Sequence, residues 1–150
     1  MKRLTGKCLC GTISYEVAGE LGAIYNCHCS KCRRWHGAAF RTRASVKRSA
    51  FKWLSGEEFL SKYDSSDNIT KTFCSICGSP LISLIKDNQD FIGLPLGGLD
   101  QDHGKRPIAN IFVGYKAPWY EINDGLPQYD AWPPGGPSSV RAQSNNEDIL

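Results

Sequence analysis

Hydrophobic residues along this chain occur mostly in short runs with a two-residue period. In the segment 12–17, Ile13, Tyr15 and Val17 alternate with polar residues, which is the pattern of a half-buried β-strand. Fifteen glycines and eight prolines supply turns. A single short helix is predicted, over residues 56–63, so the expected fold class is all-β with short antiparallel sheets. The pattern predicts further strands over residues 38–43, 69–73, 81–85, 91–94 and 108–113.

The chain has 150 residues, enough for one domain with a modest core. After Tyr129 the composition changes to a Pro/Gly-rich stretch and then a polar stretch, which have little to bury. The sequence therefore predicts one zinc-binding domain over residues 4–129 and a flexible C-terminal tail over residues 130–150. No secretory signal is recognised, and no apolar run approaches the ~20 residues needed to span a bilayer, so a cytoplasmic location is expected.

All seven cysteines fall into three tight clusters. Thiols one or two residues apart can reach a common centre about 2.3 Å from each sulfur, as Zn²⁺ requires. Seven thiols divide into a closed four-ligand site and a three-ligand site with an open position, the usual difference between structural and catalytic zinc. The odd count and a reducing compartment favour metal over disulfides, with an iron–sulfur cluster as the alternative centre. The clusters are Cys8 with Cys10, Cys27 with Cys29 and Cys32, and Cys74 with Cys77.

The first and third clusters look alike, because a glycine follows the last thiol in Cys10-Gly11 and in Cys77-Gly78. Each cluster supplies two ligands, and a shared four-thiolate site would close a loop of more than sixty residues and so stabilise the fold. The central cluster has three thiols within six residues and needs no distant partner. Linking the first and second clusters would also give four nearby thiols, so spacing alone leaves the pairing open.

The formal net charge of the chain is +3. Seven zinc-bound thiolates and two Zn²⁺ ions would bring this charge to zero, so overall basicity is no argument for nucleic-acid binding. The basic residues are nevertheless concentrated between Glu20 and Glu57, a segment without acidic residues that contains the central cysteine cluster. A positive field around an open metal attracts small anions. Arg33, Arg34 and Arg41 are the predicted substrate-binding residues. The ordinary alternative is that each of them belongs to a solvated basic face.

Three thiolates leave a zinc centre with a net charge of −1, which produces hydroxide poorly and readily accepts a fourth thiolate from a substrate. A thiol bound to Zn²⁺ deprotonates near neutral pH and is held as a nucleophile or leaving group next to a carbonyl. The predicted catalytic residues are therefore Cys27, Cys29 and Cys32. His28 is expected either to point away from the metal or to be a reserve ligand. His36 is expected either to move a proton or to be an ordinary surface histidine.

Three cysteine-containing segments resemble the glutathione-dependent formaldehyde-activating enzyme family, which includes centromere protein V. They are Gly-Lys-Cys-Leu-Cys-Gly at 6–11, Cys-His-Cys-Ser-Lys-Cys-Arg at 27–33 and Phe-Cys-Ser-Ile-Cys-Gly-Ser at 73–79. The resemblance runs from Leu4 to Tyr120. It implies a β-tent fold of short antiparallel sheets stapled by zinc, and an activity that joins glutathione to formaldehyde as S-hydroxymethylglutathione, the reverse of a carbon–sulfur lyase reaction. It also implies two Zn²⁺ per chain, a structural ion on Cys8, Cys10, Cys74 and Cys77 and a catalytic ion on Cys27, Cys29 and Cys32.

One position departs from the family pattern. Many members carry a histidine before the last hydrophobic strand, where this chain has Asn110, whose side chain forms hydrogen bonds but does not carry a proton. The leading hypothesis is a zinc-dependent carbon–sulfur lyase-like enzyme with a small-molecule thiol, glutathione, as its partner. The alternatives are an enzyme of the same fold for another sulfur compound and a non-catalytic zinc module for protein or nucleic acid. Membrane and nucleic-acid partners are not expected.

Overall fold

A computed structural model describes residues 2–136 of the chain, and these residues form ten β-strands and one α-helix. Short 3₁₀ turns lie between several of the strands. The elements are β1 (Arg3–Lys7), β2 (Ser14–Ala18), β3 (Ile24–Cys27), α1 (Ser30–His36), β4 (Arg41–Lys47), β5 (Phe51–Ser55), β6 (Leu60–Asp64), β7 (Ile69–Cys74), β8 (Pro80–Ile85), β9 (Phe91–Pro95) and β10 (Ala109–Ile111).

The strands form two sheets. A three-stranded sheet has the order β1-β2-β5, and a seven-stranded sheet has the order β10-β3-β4-β9-β8-β7-β6. The predicted mostly β class is confirmed. The expectation that all pairing is antiparallel is wrong at one place, because β10 pairs with β3 in parallel, from Ala109 beside Tyr25 to Ile111 beside Cys27. A parallel pair needs a long connection, and the chain from β4 to β9 supplies it.

The predicted helix over residues 56–63 does not form. Glu57–Phe59 makes one 3₁₀ turn, and β6 follows it at once. Strand β6 pairs with β7 along its whole length, so ladder hydrogen bonds outweigh the local helix preference of the glutamates. The α-helix lies instead at Ser30–His36, where the sequence predicted only a metal-binding loop, and it ends at Gly37, whose φ of 58° is the left-handed conformation of a helix C-cap.

Several strands lack the alternating pattern that the sequence analysis used. Strands β1, β3, β5 and β6 were not predicted, and all four residues of Ile24–Cys27 are buried. Strand β4 begins three residues later than predicted and runs on to Lys47, while β10 is shorter than predicted at both ends. Strand β3 is covered on both faces and shows no polar face, so period-two alternation does not reveal it.

The two faces of the seven-stranded sheet differ in chemistry. One face packs against the three-stranded sheet and forms the main core, which includes Ile24, Val46, Ile82 and Ile92 from the large sheet. Because neighbouring residues of a strand point to opposite faces, Arg41, Arg43, Ser83 and Lys71 belong to the other face. All four are nevertheless buried. The main core is apolar, and the second face of the same sheet is polar and charged. The main-core cluster includes Leu4, Tyr15, Val17 and Phe51 from the three-stranded sheet.

The second face is covered by the segment that follows β10. Trp132 packs against Tyr25 and Phe112, with ring centroids 5.8 and 5.7 Å apart, and the Arg43 guanidinium lies 5.8 Å from the centre of its ring. These contacts extend past residue 129, where the sequence analysis placed the end of the domain. The rest of the predicted flexible tail, residues 137–150, lies outside the described residues. Within residues 2–136, the helices are too short and too polar to cross a membrane.

Candidate functional site

The structure brings the first and third cysteine clusters together at one point. The sulfur atoms of Cys8, Cys10, Cys74 and Cys77 all lie within 4.8 Å of one another. The Cys8–Cys10 and Cys10–Cys74 sulfur distances are 3.6 and 3.9 Å. A tetrahedral zinc with bonds of 2.3 Å requires sulfur atoms about 3.8 Å apart, so these four thiols fit Zn²⁺. We call this group the four-cysteine site.

Two matching turns shape the four-cysteine site. The Gly11 N–H donates to the Cys8 carbonyl (3.0 Å), and the Gly78 N–H donates to the Cys74 carbonyl (2.8 Å). Gly11 and Gly78 have φ values of 79° and 78°, a left-handed conformation that glycine adopts without steric cost. The first turn joins β1 to β2 and the second joins β7 to β8, so the site links the three-stranded sheet to the seven-stranded sheet.

The central cluster forms a separate group, which we call the three-cysteine site. Cys27 ends β3, Cys29 caps the N-terminus of α1, and Cys32 lies in the first turn of that helix. The three sulfur atoms lie within 4.8 Å of one another, and the Cys32 N–H donates to the Cys29 sulfur at 3.2 Å. All three residues are 0% exposed, so the site has no direct contact with solvent. Three thiols with no fourth cysteine fit a zinc ion that keeps one position for a further ligand.

The pKa values of Cys32 and Cys27 shift in opposite directions within the three-cysteine site. The pKa of Cys32 lies well below its ordinary value because the thiols of Cys27 and Cys29 donate hydrogen bonds to it, and the nearby Arg41 charge acts in the same direction. Burial raises the pKa of Cys27 well above its ordinary value.

Three buried cations lie beside the three-cysteine site. Arg41, Arg43 and Lys71 are 3%, 3% and 1% exposed, and the positive charges of Arg41 and Lys71 act on the Cys32 sulfur. Arg41 is the direct cross-strand partner of Cys27. Burial lowers the pKa of Arg43 to about 10 and that of Lys71 to about 8, and in both residues the Arg41 charge adds to the shift. The negative sulfur cluster and these cations share one buried compartment.

The predicted substrate-binding arginines occupy three different environments. Arg41 lies beside the three-cysteine site, whereas the Arg33 Nε donates to the Tyr115 carbonyl at 3.0 Å and Arg34 is exposed on α1. Sequence analysis did not single out Arg43 or Lys71. The two-residue period of a strand puts Arg43 on the same face as Arg41, so the sequence alone could have indicated Arg43.

The sequence pattern indicated the burial of Lys71 less clearly. In the predicted half-buried strand it shares a face with Ile69 and Phe73, a position that suits an apolar residue. The structure buries β7 on both faces from Ile69 to Thr72, so Lys71 has no solvent-exposed side to turn to. A lysine in register with two apolar residues was therefore the available indication of a buried amine.

His28 points away from the three-cysteine site. Its Nε2 lies 2.8 Å from the Asn110 Oδ1, and the Asn110 Nδ2 donates to both carboxylate oxygens of Asp124 at 3.1 Å. A carboxylate only accepts, so Asp124 fixes the orientation of the amide and makes His28 the donor at Nε2. Asn110, at the position where the family pattern has a histidine, thus holds the loop between Cys27 and Cys29.

His36 lies at the end of α1, half-buried, and its Nε2 is buried without a hydrogen-bond partner among the described residues. Burial lowers the pKa of His36 to about 4, and the Arg41 charge acts in the same direction. The ring is therefore neutral at pH 7 and is a weak base. This position suits a hydrogen bond to a ligand better than the proton carrier that the sequence analysis considered.

A cavity of about 730 Å³ lies between the two cysteine sites. His36, Phe40 and Arg41 line its inner part, and Cys8, Ser79 and Asp100 are among the residues on its other walls. The volume is within the range of small-molecule sites. Arg41 is thus shared between the cavity and the buried compartment, so a ligand in the cavity has the Arg41 guanidinium within reach.

Fold and site together define a mostly β protein with two cysteine clusters that can hold metal ions. The chain belongs to the glutathione-dependent formaldehyde-activating enzyme family, because the model of that family matches residues 3–115. A crystal structure of a Rhodobacter sphaeroides protein has a similar fold, with a TM-score of 0.55 and 28% identity, over 69% of this chain and 97% of that one.

Three curated relatives show similar levels of identity. An uncharacterized lyase of Schizosaccharomyces pombe is 31% identical over 81 residues, which are 54% of this chain and 57% of the relative. Proteins of Podospora anserina and Fusarium vanettenii carry the provisional name glutathione-dependent formaldehyde-activating enzyme. They are 32% and 28% identical, over 60% and 61% of this chain and 43% and 50% of their own lengths. The chain therefore spans about half the length of these relatives.

Proposed function

We propose that this protein is a zinc-dependent carbon–sulfur lyase-like enzyme that acts on a thiol or thiol adduct, with glutathione and formaldehyde as its substrates. The observation that carries the proposal is the three-cysteine site, a buried group of three thiols without a fourth cysteine, next to three cations and a cavity. Family membership and the names of the relatives support the same reaction class.

Cys27, Cys29 and Cys32 would hold the catalytic zinc, and Cys8, Cys10, Cys74 and Cys77 the structural zinc. When bound at the three-cysteine site, zinc supplies an open position that keeps a substrate thiol deprotonated and ready to bond to the aldehyde carbon.

The protein's own residues would bind and orient the substrate. Arg41 lines the cavity and would bind a substrate carboxylate, with Arg33 and Arg34 at the outer side of α1 as candidates for a second one. Trp132 and Phe112 pack over the compartment and would keep water from the reacting sulfur. His36 would donate or accept a hydrogen bond from the cavity wall.

A non-catalytic module that binds nucleic acid receives less support. Arg41 and Arg43 belong to the basic segment that would carry such binding, and both are buried. They face the cysteines rather than solvent, so they cannot contact a phosphate backbone on the surface.

The test is a comparison of Cys32→Ser with wild-type protein. Wild-type protein is expected to contain two zinc ions per chain and to accelerate the formation of S-hydroxymethylglutathione, followed with ¹³C-formaldehyde by exchange NMR. Cys32→Ser is expected to lose one zinc and the acceleration while keeping its circular dichroism spectrum. Ser30→Ala, in the same loop, is the matched control and is expected to keep both.

Three results would contradict the proposal. They are full acceleration in Cys32→Ser, iron in place of zinc, and a wild-type protein that leaves the uncatalysed rate unchanged. Acceleration with a different thiol in place of glutathione would keep the reaction class and replace the substrate.

A further inference from the structure

We infer that Arg41, Arg43 and Lys71 form an anion subsite that binds a carboxylate of a thiol substrate, so that the site also takes thiol carboxylates smaller than glutathione. We call these three residues the cation subsite. The part of the inference that concerns the thiol rests on the proposed function. The binding of a carboxylate by the cation subsite does not.

The cation subsite has buried donors without partners. The Nε and Nη2 of Arg41, the Nη1 of Arg43 and the Nζ of Lys71 are all inaccessible to solvent, and none has a hydrogen-bond partner among residues 2–136. Buried polar groups in proteins are nearly always hydrogen-bonded, and leaving a charged donor unsatisfied is costly. Donors left open by three different side chains of one compartment indicate a ligand that accepts several hydrogen bonds.

The guanidinium groups of Arg41 and Arg43 come together over β9, where Gly93 carries no side chain. Gly93 lies on β9, next to β4 in the sheet. The Nη2 atoms of Arg41 and Arg43 both lie within 3.4 Å of the point that a Cβ of Gly93 would occupy. Ser83, the cross-strand partner of Gly93 on β8, is also the partner of Lys71 on β7. Glycine and serine therefore leave space on this face of the sheet beside all three long side chains.

The charges of the compartment are unequal once the thiols hold a divalent ion. Three thiolates and one Zn²⁺ carry −1, whereas the cation subsite carries +3. Within the described part of the chain, none of the three cations forms an ion pair with a carboxylate. A ligand with one thiolate and one carboxylate supplies the two missing negative charges.

The register of the sheet places the cation subsite next to the three-cysteine site. Cys27 and Arg41 are directly opposite each other on β3 and β4, and the Arg41 guanidinium extends from there towards Gly93 on β9. A thiol carboxylate held at the three-cysteine site can therefore present its carboxylate to the cation subsite.

The experiment measures binding to zinc-loaded full-length protein by isothermal titration calorimetry. The probes are 3-mercaptopropionate, its neutral analogue 3-mercaptopropionamide, and 3-(methylthio)propionate, which has the carboxylate but no free thiol. Because a hydrogen bond to a charged group contributes substantially, the acid is expected to bind at least about tenfold more tightly than the amide.

Lys71→Met is expected to remove most of this difference, because it keeps the length of the side chain and deletes the charge. Lys62→Met, on the exposed surface of the neighbouring strand β6, is the matched control and is expected to leave the difference unchanged. Zinc content and thermal unfolding are measured for both variants. The comparison of acid with amide uses wild-type protein, so it remains decisive even where Lys71→Met does not fold.

The outcomes separate the subsite from the proposed function. Equal affinities for 3-mercaptopropionate and 3-mercaptopropionamide would overturn the subsite and leave the thiol chemistry intact; this is the result expected if the cations only neutralise the cysteines. Binding of 3-(methylthio)propionate that depends on Lys71, together with no binding of a free thiol, would support the subsite and overturn the proposed function. Failure of all three probes to bind would overturn both.

Discussion

The two cysteine sites of this protein differ in how deeply they are buried. The four-cysteine site, with its complete set of ligands, lies at the surface, where Cys10 is exposed and Leu9 and Ile76 project into solvent. The three-cysteine site, which lacks a ligand, is entirely buried. An incomplete ligand set therefore does not require an exposed site. A further ligand of the three-cysteine site would bind in a buried compartment.

The surroundings of the two sites also differ. Backbone turns and short hydrogen bonds shape the four-cysteine site, and it joins two sheets. The three-cysteine site belongs to one sheet and one helix, and its charged neighbours have open donors. The first arrangement is suited to holding the fold together, and the second to binding a ligand.

The largest expected effect tests this division of roles. Cys74→Ser removes a ligand that ties the two sheets together, so the free energy of unfolding is expected to fall by at least about 3 kcal/mol in zinc-containing buffer. Cys32→Ser is expected to cost clearly less, because its site lies within one sheet. Denaturant unfolding of both variants measures the difference, with Ser75→Ala as the control. Equal losses for the two cysteine variants would remove the distinction between the sites.

The next effect concerns how the three-cysteine loop is held. Asn110→Leu leaves the His28 Nε2 without its acceptor in a buried position, so the free energy of unfolding is expected to fall by about 2 kcal/mol. The four-cysteine site should keep its zinc. Asn68→Leu serves as the comparison. Asn68 directly precedes β7, and its Oδ1 accepts an ordinary loop hydrogen bond from the Asp87 N–H. An unchanged stability in Asn110→Leu would show that the bond to His28 does not support the loop.

A stabilising effect is expected from Lys71→Met. The folded protein holds this amine 1% exposed and without a hydrogen-bond partner among the described residues, and replacing a buried unpaired charge by an apolar side chain of similar length removes its desolvation cost. The free energy of unfolding at pH 7 is expected to rise by about 1.5 kcal/mol. Thermal unfolding without added ligand measures it, with Lys62→Met as the control. A destabilised variant would indicate that the amine already has a partner.

The pH dependence of the stability of Lys71→Met gives a second test of the expected stabilisation. Burial lowers the pKa of Lys71 from 10.5 to about 8. Between these values the unfolded chain keeps the proton and the folded chain does not, so folding is favoured increasingly as the pH rises through this window. The advantage of Lys71→Met over wild-type protein is therefore expected to be greatest below about pH 8 and to shrink towards pH 10.5. A stability advantage that grows with pH would contradict a lowered pKa of Lys71 in the folded protein.

The smallest effect probes the turns of the four-cysteine site. Gly78→Ala forces an L-residue into a φ of 78°, although the space around the new methyl group is open. The free energy of unfolding is expected to fall by about 1 kcal/mol through backbone strain alone. Gly97→Ala, also in open space and without a positive φ, is the matched control. Equal stability of the two variants would mean that the turn relaxes without cost.

Sequence analysis predicted the features that depend on local spacing. The two cysteine groups follow from ligand spacing together with the family resemblance, and most strands with clean alternation were found. The elements that were missed depend on contacts made far along the chain. Strand β3 is buried on both faces, so it shows no alternation. Helix α1 starts where the Cys29 sulfur accepts the Cys32 N–H, an interaction that no helix propensity records.

The charged face of the large sheet was the least predictable feature. A lysine or arginine in a strand ordinarily indicates a solvent-facing side, and only the nearby thiols make a buried position tolerable. Trp132 was assigned to the tail because its neighbours are prolines and glycines, yet its ring covers the Arg43 guanidinium. Its position depends on a surface that forms only after the sheet has been assembled.

The spacing of the cysteines along the chain also sets the order in which the two possible metal sites are completed during synthesis. Cys27, Cys29 and Cys32 leave the ribosome almost together, whereas the thiols near residue 8 wait for Cys74 and Cys77. At about 5–20 residues per second, that interval lasts several seconds. The nascent polypeptide therefore presents its three-thiol group early, and an ion that joins its two sheets would be bound late.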